Sequence, residues 1–215
     1  FVTKVFAPVD INIGLHWHHF NQPIMPPIVD TSMDPDSCQV EQGKILVYLP
    51  FEKRERVRDA FLQFPDYSFH VYEKRDQQFA EQNITWNPFS RERFQRDLLS
   101  CDGVICQSGF ELPSEALHLG KKLLVKPVHG QFEQLSNAMV SDPHEFGMTM
   151  NRLDTLVMEK WLIAQHPRPA SYPDVARGIA EWVGAGDWSN PSELAARLWA
   201  DTNIQPHTLE AAHAA

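Results

Sequence analysis

No stretch of the 215 residues approaches the roughly 18 consecutive apolar residues that a membrane-crossing helix needs. Nor does a charged-then-apolar signal segment open the chain, so nothing in it reads as a bilayer span or a secretory leader. Cysteine is scarce: Cys38, Cys101 and Cys106 are odd in number and show no CxxC spacing, which excludes a disulfide framework and a zinc knuckle. A reducing compartment, the cytoplasm, is the expectation. Basic residues are also few, with 19 Lys and Arg against 28 Asp and Glu for a net charge of -9. With no cluster of positive charge to neutralise phosphates, a nucleic-acid partner is excluded. Repeats and low-complexity tracts are absent. Finally, no Met opens the chain, and Phe1 begins a strand-like stretch, FVTKVFAPV, so we expect the C-terminal part of a longer protein.

What is present is globular material, 43% hydrophobic and 22% charged, long enough to bury a core. Residues 1–22 carry the cluster HWHHF at 16–20, and 23–42 carry Pro23, Pro26, Pro27 and Pro35. Proline removes backbone donors and favours extended chain, so 23–42 reads as a linker. From Gly43 the pattern changes. KILVYLP reads as an apolar strand, and RERVRDAFLQF places Val57, Phe61 and Leu62 at helical spacing. SFHVYEK and NITW read as further strands, RERFQRDLLS as a helix, and CDGVICQS as a strand. A helix over 113–119, the strand KLLVKPV and a helix over 132–139 follow. This alternation predicts an α/β fold over 43–146: a Rossmann-like, doubly wound parallel sheet with helices on both faces. Residues 147–215 read as C-terminal helices, the first with Leu153, Leu156, Val157, Trp161 and Leu162 on one face. Such sheets bind ligands outside the carboxyl ends of their strands, where loops 50–53, 87–90, 107–112 and 127–133 emerge.

Two of those loops concentrate groups that bind ligands. In QSGFELPSEALHLG a strand ends, Gly109 permits a tight turn, and a helix is expected to start at Pro113, a favoured first helical residue. Free N–H groups and the helix dipole at such a start attract phosphate. Glu115 then falls at the third helical position, where it either caps the first turn or accepts hydrogen bonds from two vicinal hydroxyls. Leu112, at the position that would supply the capping hydroxyl, cannot do so. In PVHGQFEQ, Gly130 lets backbone approach a ligand, while Gln131, Glu133 and Gln134 offer the mixed donors and acceptors that sugars require. Taken alone, that run also reads as a solvated helix start. His16 and His18 would share a face of a strand, but with no third ligand they predict no metal site.

Together, G-F-x-x-x-S-E-A-L-x-L-G-K-x-L-L-V-x-P-V-x-G-Q-F-E-Q-x-x-N-A resembles the donor-binding motif of GT-B glycosyltransferases. It looks most like the bacterial and archaeal enzymes related to peptidoglycan N-acetylglucosaminyltransferase and to UDP-glucuronosyltransferases. The resemblance is strong over 107–138 and looser over 43–146. It implies a UDP-sugar donor and an acceptor as partners, no cofactor, and hexosyl transfer between two Rossmann-like domains, of which this chain is the C-terminal one. On that resemblance Glu115 matches the ribose-binding glutamate, and Ser108, Gly109 and Phe110 fall in the phosphate loop. His129 and Gly130 line the diphosphate, and Gln131, Glu133 and Gln134 face the donor sugar. The loops at Pro50-Phe51 and Pro88-Phe89 take the positions that hold the base. Gln107-Ser108 departs from the His-Cys pair of plant-type relatives, which leaves the phosphate-contacting side chain open. Two other readings of the same motif remain: a UDP-sugar 2-epimerase, and a non-catalytic nucleotide-binding regulatory module.

Overall fold

Short apolar strands alternate with helices through most of the computed structural model, which describes residues 9–37, 39–141, 147–186 and 188–204. Residues 1–8, where most of the first expected strand falls, lie outside them, as do Cys38 and the expected frayed end. Two parallel two-residue strands come first, β1 (Gly14–Leu15) and β2 (Ile24–Met25). Then follow β3 (Lys44–Tyr48), α1 (Arg54–Phe61), β4 (Ser68–Glu73), β5 (Phe79–Glu81), β6 (Ile84–Pro88), α2 (Arg91–Ser100) and β7 (Gly103–Gln107). The chain continues through α3 (Glu111–His118), β8 (Lys122–Lys126), α4 (Phe132–Ser141), β9 (Met148–Thr149), α5 (Thr155–Leu162), α6 (Val175–Ala185) and α7 (Pro191–Ala200).

The larger of two units, residues 32–170, holds a seven-stranded sheet in the order β5-β6-β4-β3-β7-β8-β9. Every pairing is parallel except β5 with β6, so the expected doubly wound sheet is present with one antiparallel edge strand added. The winding reverses between β3 and β7, whose register pairs Tyr48 with Cys106. That reversal opens a crevice at the carboxyl ends of the two strands.

Strand periodicity decides which helix covers which face. Ile45, Val47, Phe69, Val71, Ile84, Trp86, Ile105 and Leu124 form one buried cluster with Val57, Ala60 and Phe61 of α1 and Met158, Trp161 and Leu162 of α5. The alternate residues of β4 face the other way, where α2 presents Asp97. His70 Nδ1 lies 3.0 Å from Asp97 Oδ2, the Tyr72 hydroxyl donates to it at 2.8 Å, and the Lys44 ammonium is 3.1 Å from Oδ1. Burial opposes ionisation of Asp97, but the hydrogen bonds from His70 and Tyr72 outweigh it and hold the carboxyl at about 2. A folded-state value depressed from the usual ~4 stabilises the fold above that pH and ceases to do so as acid titrates the folded group. We therefore expect Asp97 to contribute about 2 kcal/mol that disappears between roughly pH 4 and pH 2. Urea titrations across that interval should show a smaller acid loss for Asp97→Asn than for the parent chain.

The α5 helix packs on the sheet as expected, with Asp154 capping it by accepting from Leu156 and Val157 N–H. Leu156 is not on its inner face. It is 69% exposed, and Met158 fills the core instead, because the cap at Asp154 sets the phase of the helix.

In the smaller unit, residues 1–31 with 171–215, Met25 packs with Val175, Leu194, Ala195 and Leu198. The HWHHF cluster is not a strand, since β1 stops at Leu15. The Nδ1 atoms of His16, His18 and His19 instead accept backbone N–H groups of Trp17, Phe20 and Asn21 at 2.8 to 3.0 Å.

Candidate functional site

At the carboxyl end of β7 the chain turns through Ser108 and Gly109 into α3. That helix begins at Glu111, earlier than its proline suggests, with Phe110 as its N-cap and no capping side chain. Pro113 is tolerated at the third position because first-turn N–H groups have no partner within a helix. Glu115 therefore lies at the fifth position, not the third, and the capping role expected for it does not apply. It is half-buried, one turn below the exposed Glu111. The uncapped first turn, with open space beside Gly109, leaves dipole and N–H groups directed at the sheet edge. At the other end of α3, His118 lies 2.9 Å from the Ala170 carbonyl and 3.1 Å from that of Met33, which fixes the helix.

The two predicted clusters meet. The Ser108 hydroxyl donates to the Gln134 carbonyl at 2.7 Å, and Asn137 Nδ2 donates to the Ser108 carbonyl at 3.0 Å. Gln134 Oε1 accepts from Val128 N–H at 3.0 Å, and its Nε2 donates to Gln131 Oε1 at 2.8 Å. The Ser108 hydroxyl and the Gln134 amide thus brace the β8–α4 turn, in which Gly130 adopts φ +80°. His129, Gly130 and Gln131 are exposed on that turn, and Glu133 is exposed in the first turn of α4.

Aromatic side chains line the same edge further along. Phe89, after β6, is 54% exposed and packs edge-on to Tyr48 at 5.9 Å between ring centroids. Tyr48 meets Phe94, and Phe94 meets Tyr72 at 4.9 Å. A cavity of about 660 Å³ opens beside the crevice, lined by Phe51 and Glu52 after β3, Gln107 at the end of β7, Lys126 at the end of β8, and His129. The Lys126 ammonium and the Glu52 carboxylate are 2.6 Å apart, and both side chains are nearly buried. Among the described residues no three His, Cys, Asp or Glu side chains converge in a metal-binding group.

The sequence model of glycosyl transferase family 1 matches residues 18–165, more than two thirds of the chain. The chain belongs to glycosyl transferase family 1. No curated protein matches it. Similar solved structures include spinosyn forosaminyltransferase SpnP, at TM-score 0.49 and 12% identity over 93% of this chain and 53% of that one. The glycotransferase of kitacinnamycin follows at 0.48 and 15%, over 67% and 44%. Phytolacca americana UGT2 complexed with UDP-2fluoro-glucose and pterostilbene gives 0.45 and 16%, over 64% and 36%. The chain spans about half the length of these structures or less.

Membership of glycosyl transferase family 1 places the 108–110 turn and the 129–134 turn inside the matched region. Sequence reasoning passed over the cavity-lining Gln107, Lys126 and Glu52 as site residues. Gln107 follows the alternation of Ile105 along β7, and Lys126 that of Leu124 along β8, which was the available signal that both leave the sheet on the α1 and α5 side.

Proposed function

We propose that this chain is the donor-binding half of an inverting glycosyltransferase that moves a hexosyl group from a UDP-sugar to an acceptor hydroxyl. The observation that carries the reading is the uncapped start of α3 at the carboxyl edge of the sheet, beside the winding reversal. Diphosphate at that helix start meets N–H groups and the positive end of the dipole. Uracil and ribose then lie towards Tyr48 and Phe89, with Glu115 taking the two ribose hydroxyls. In transfer, the acceptor oxygen forms a bond to the anomeric carbon as the bond from that carbon to UDP breaks. The proton goes to a base, and α3 stabilises the charge left on UDP. No residue of this chain is assigned as that base, which the missing half supplies. The UDP donor and the role of Glu115 also rest on the motif resemblance over 107–138. In the same reading residues 1–22 belong to the other half and 23–42 to the linker, while the sheet unit binds the nucleotide sugar.

Glu115→Ala should weaken UDP binding at least roughly tenfold, since two hydrogen bonds to a charged acceptor are lost. 2′,3′-Dideoxy-UDP should bind parent and variant alike. Unchanged UDP affinity in the variant removes Glu115 from the site.

A further inference from the structure

Lys126 and Glu52 form an ion pair 2.6 Å long on the wall of the 660 Å³ cavity, with side chains 11% and 13% exposed. Among the described residues neither has another ionic partner. Withdrawing two charges from water is costly, and their mutual attraction offsets that only in part, so such a pair is weak evidence of a stabilising role. Its place in the fold points to a different one. Lys126 ends β8 and pairs in register with Gln107, the last residue of β7, directly before the Ser108–Phe110 turn into α3. Glu52 reaches it from the other side of β7, in the turn after β3, where its N–H donates to the Leu49 carbonyl at 3.0 Å. The remaining charges of the cavity leave the pair to itself: Arg152 lies 3.4 Å from Asp154, Asp59 lies 3.4 Å from Arg58, and Arg56 is exposed to water.

A diphosphate at the start of α3 stands one residue from the register partner of Lys126, whose flexible four-carbon stem lets the ammonium turn from a carboxylate to a phosphate oxygen. Glu52 then competes with the ligand for the same cation. Its carboxylate, carried on a hydrogen-bonded turn, also repels the arriving anion across a partly desolvated space, where charges act more strongly than in water. We propose that Glu52 is a release device: Lys126 leaves it for the diphosphate when the nucleotide binds, and Glu52 recaptures the ammonium as UDP departs. The carboxylate thus lowers the affinity of the site for the product nucleotide. For the identity of that anion the inference rests on the donor-binding reading, whereas the competition for Lys126 belongs to the ion pair itself.

The test compares the whole chain with Glu52→Gln, with Glu52→Asp, which retracts the carboxylate and keeps its charge, and with the double variant Glu52→Gln/Lys126→Met. UDP, uridine and inorganic pyrophosphate are titrated by calorimetry. Glu52→Gln should bind UDP and pyrophosphate at least roughly tenfold more tightly than the parent, with uridine unchanged, and Glu52→Asp should shift in the same direction by less. Without ligand, Glu52→Gln should melt at lower temperature, because an ammonium is left buried and unpaired. Loss of a merely structural pair would weaken stability and binding together, so the opposite signs separate the two roles. In the double variant, which removes both charges, the tighter binding should vanish. UDP and pyrophosphate bound no more tightly by either Glu52 variant, or a gain that survives removal of Lys126, overturns the inference. If UDP binds none of the chains while pyrophosphate shows this dependence on Glu52 and Lys126, the donor-binding reading fails and the release device stands for another diphosphate.

Discussion

Asp102→Ala should destabilise the chain by about 3–5 kcal/mol, the loss expected when one partner of a buried ion pair is deleted. Asp102 and Lys122 stand at the amino ends of β7 and β8, 2.9 Å apart, with side chains only 4% and 6% exposed. The Lys122 ammonium also donates to the Leu162 carbonyl at 2.9 Å, and His166 Nε2 lies 2.7 Å from the second Asp102 oxygen. This network ties the end of α5 to the sheet edge opposite the candidate site. Burial opposes ionisation of Asp102, but its bonds to Lys122 and His166 prevail and lower its pKa below the usual carboxylate range. Its contribution is therefore present at neutral pH and is lost in acid, as for Asp97. Most of the penalty in Asp102→Ala comes from the ammonium left behind, so adding Lys122→Met should recover most of it. Chemical denaturation of the two variants checks this. A double variant as unstable as the single one would show that the aspartate acts through some other contact.

Trp161→Ala should cost about 4 kcal/mol, the range for emptying a buried aromatic site. The indole is 2% exposed and lies against Gly103, where an added β-carbon would stand 2.7 Å from Trp161 Cζ2 and 3.2 Å from the Lys122 carbonyl oxygen. The glycine at the start of β7 is thus a matter of space. Gly103→Ala should itself cost about 1–3 kcal/mol by overpacking. Because both changes act on the same contact, their combination should cost less than the sum, the alanine methyl occupying room the indole has vacated. Strictly additive losses in urea would contradict that packing account.

These residues also show what could be read from the sequence and what could not. RERFQRDLLS was legible as a helix to the residue, because Ser90 supplies an N-cap and the apolar positions recur at helical spacing. The parallel strands β3, β6, β7 and β8 were legible because each is a short run of strand-favouring residues followed by a helix, whereas the two-residue β1, β2 and β9 were too short to read. The start of α3 was not, since its cap, Phe110, has no capping group and its proline sits at the third position instead of the first. Nor was β5, whose residues FAE lack strand character; it forms as a hairpin with β6 around Gln82, which takes φ +53°. Asn83 secures that turn by donating to the carbonyls of Phe61, Phe64 and Tyr67. In the site, local motifs revealed the 108–110 and 129–134 turns. The cavity stayed hidden because Glu52, Gln107 and Lys126 come from three separate β–α units and meet only once the sheet is formed.

On the proposed donor-binding reading, the carboxyl edge of this sheet recognises a uridine nucleotide. Titration calorimetry of the chain with UDP, ADP and GDP tests it most directly. The account predicts that UDP binds, with ADP and GDP weaker by at least roughly tenfold, about 1.4 kcal/mol. Equal or tighter binding of either purine nucleotide, or no binding of UDP, would contradict it.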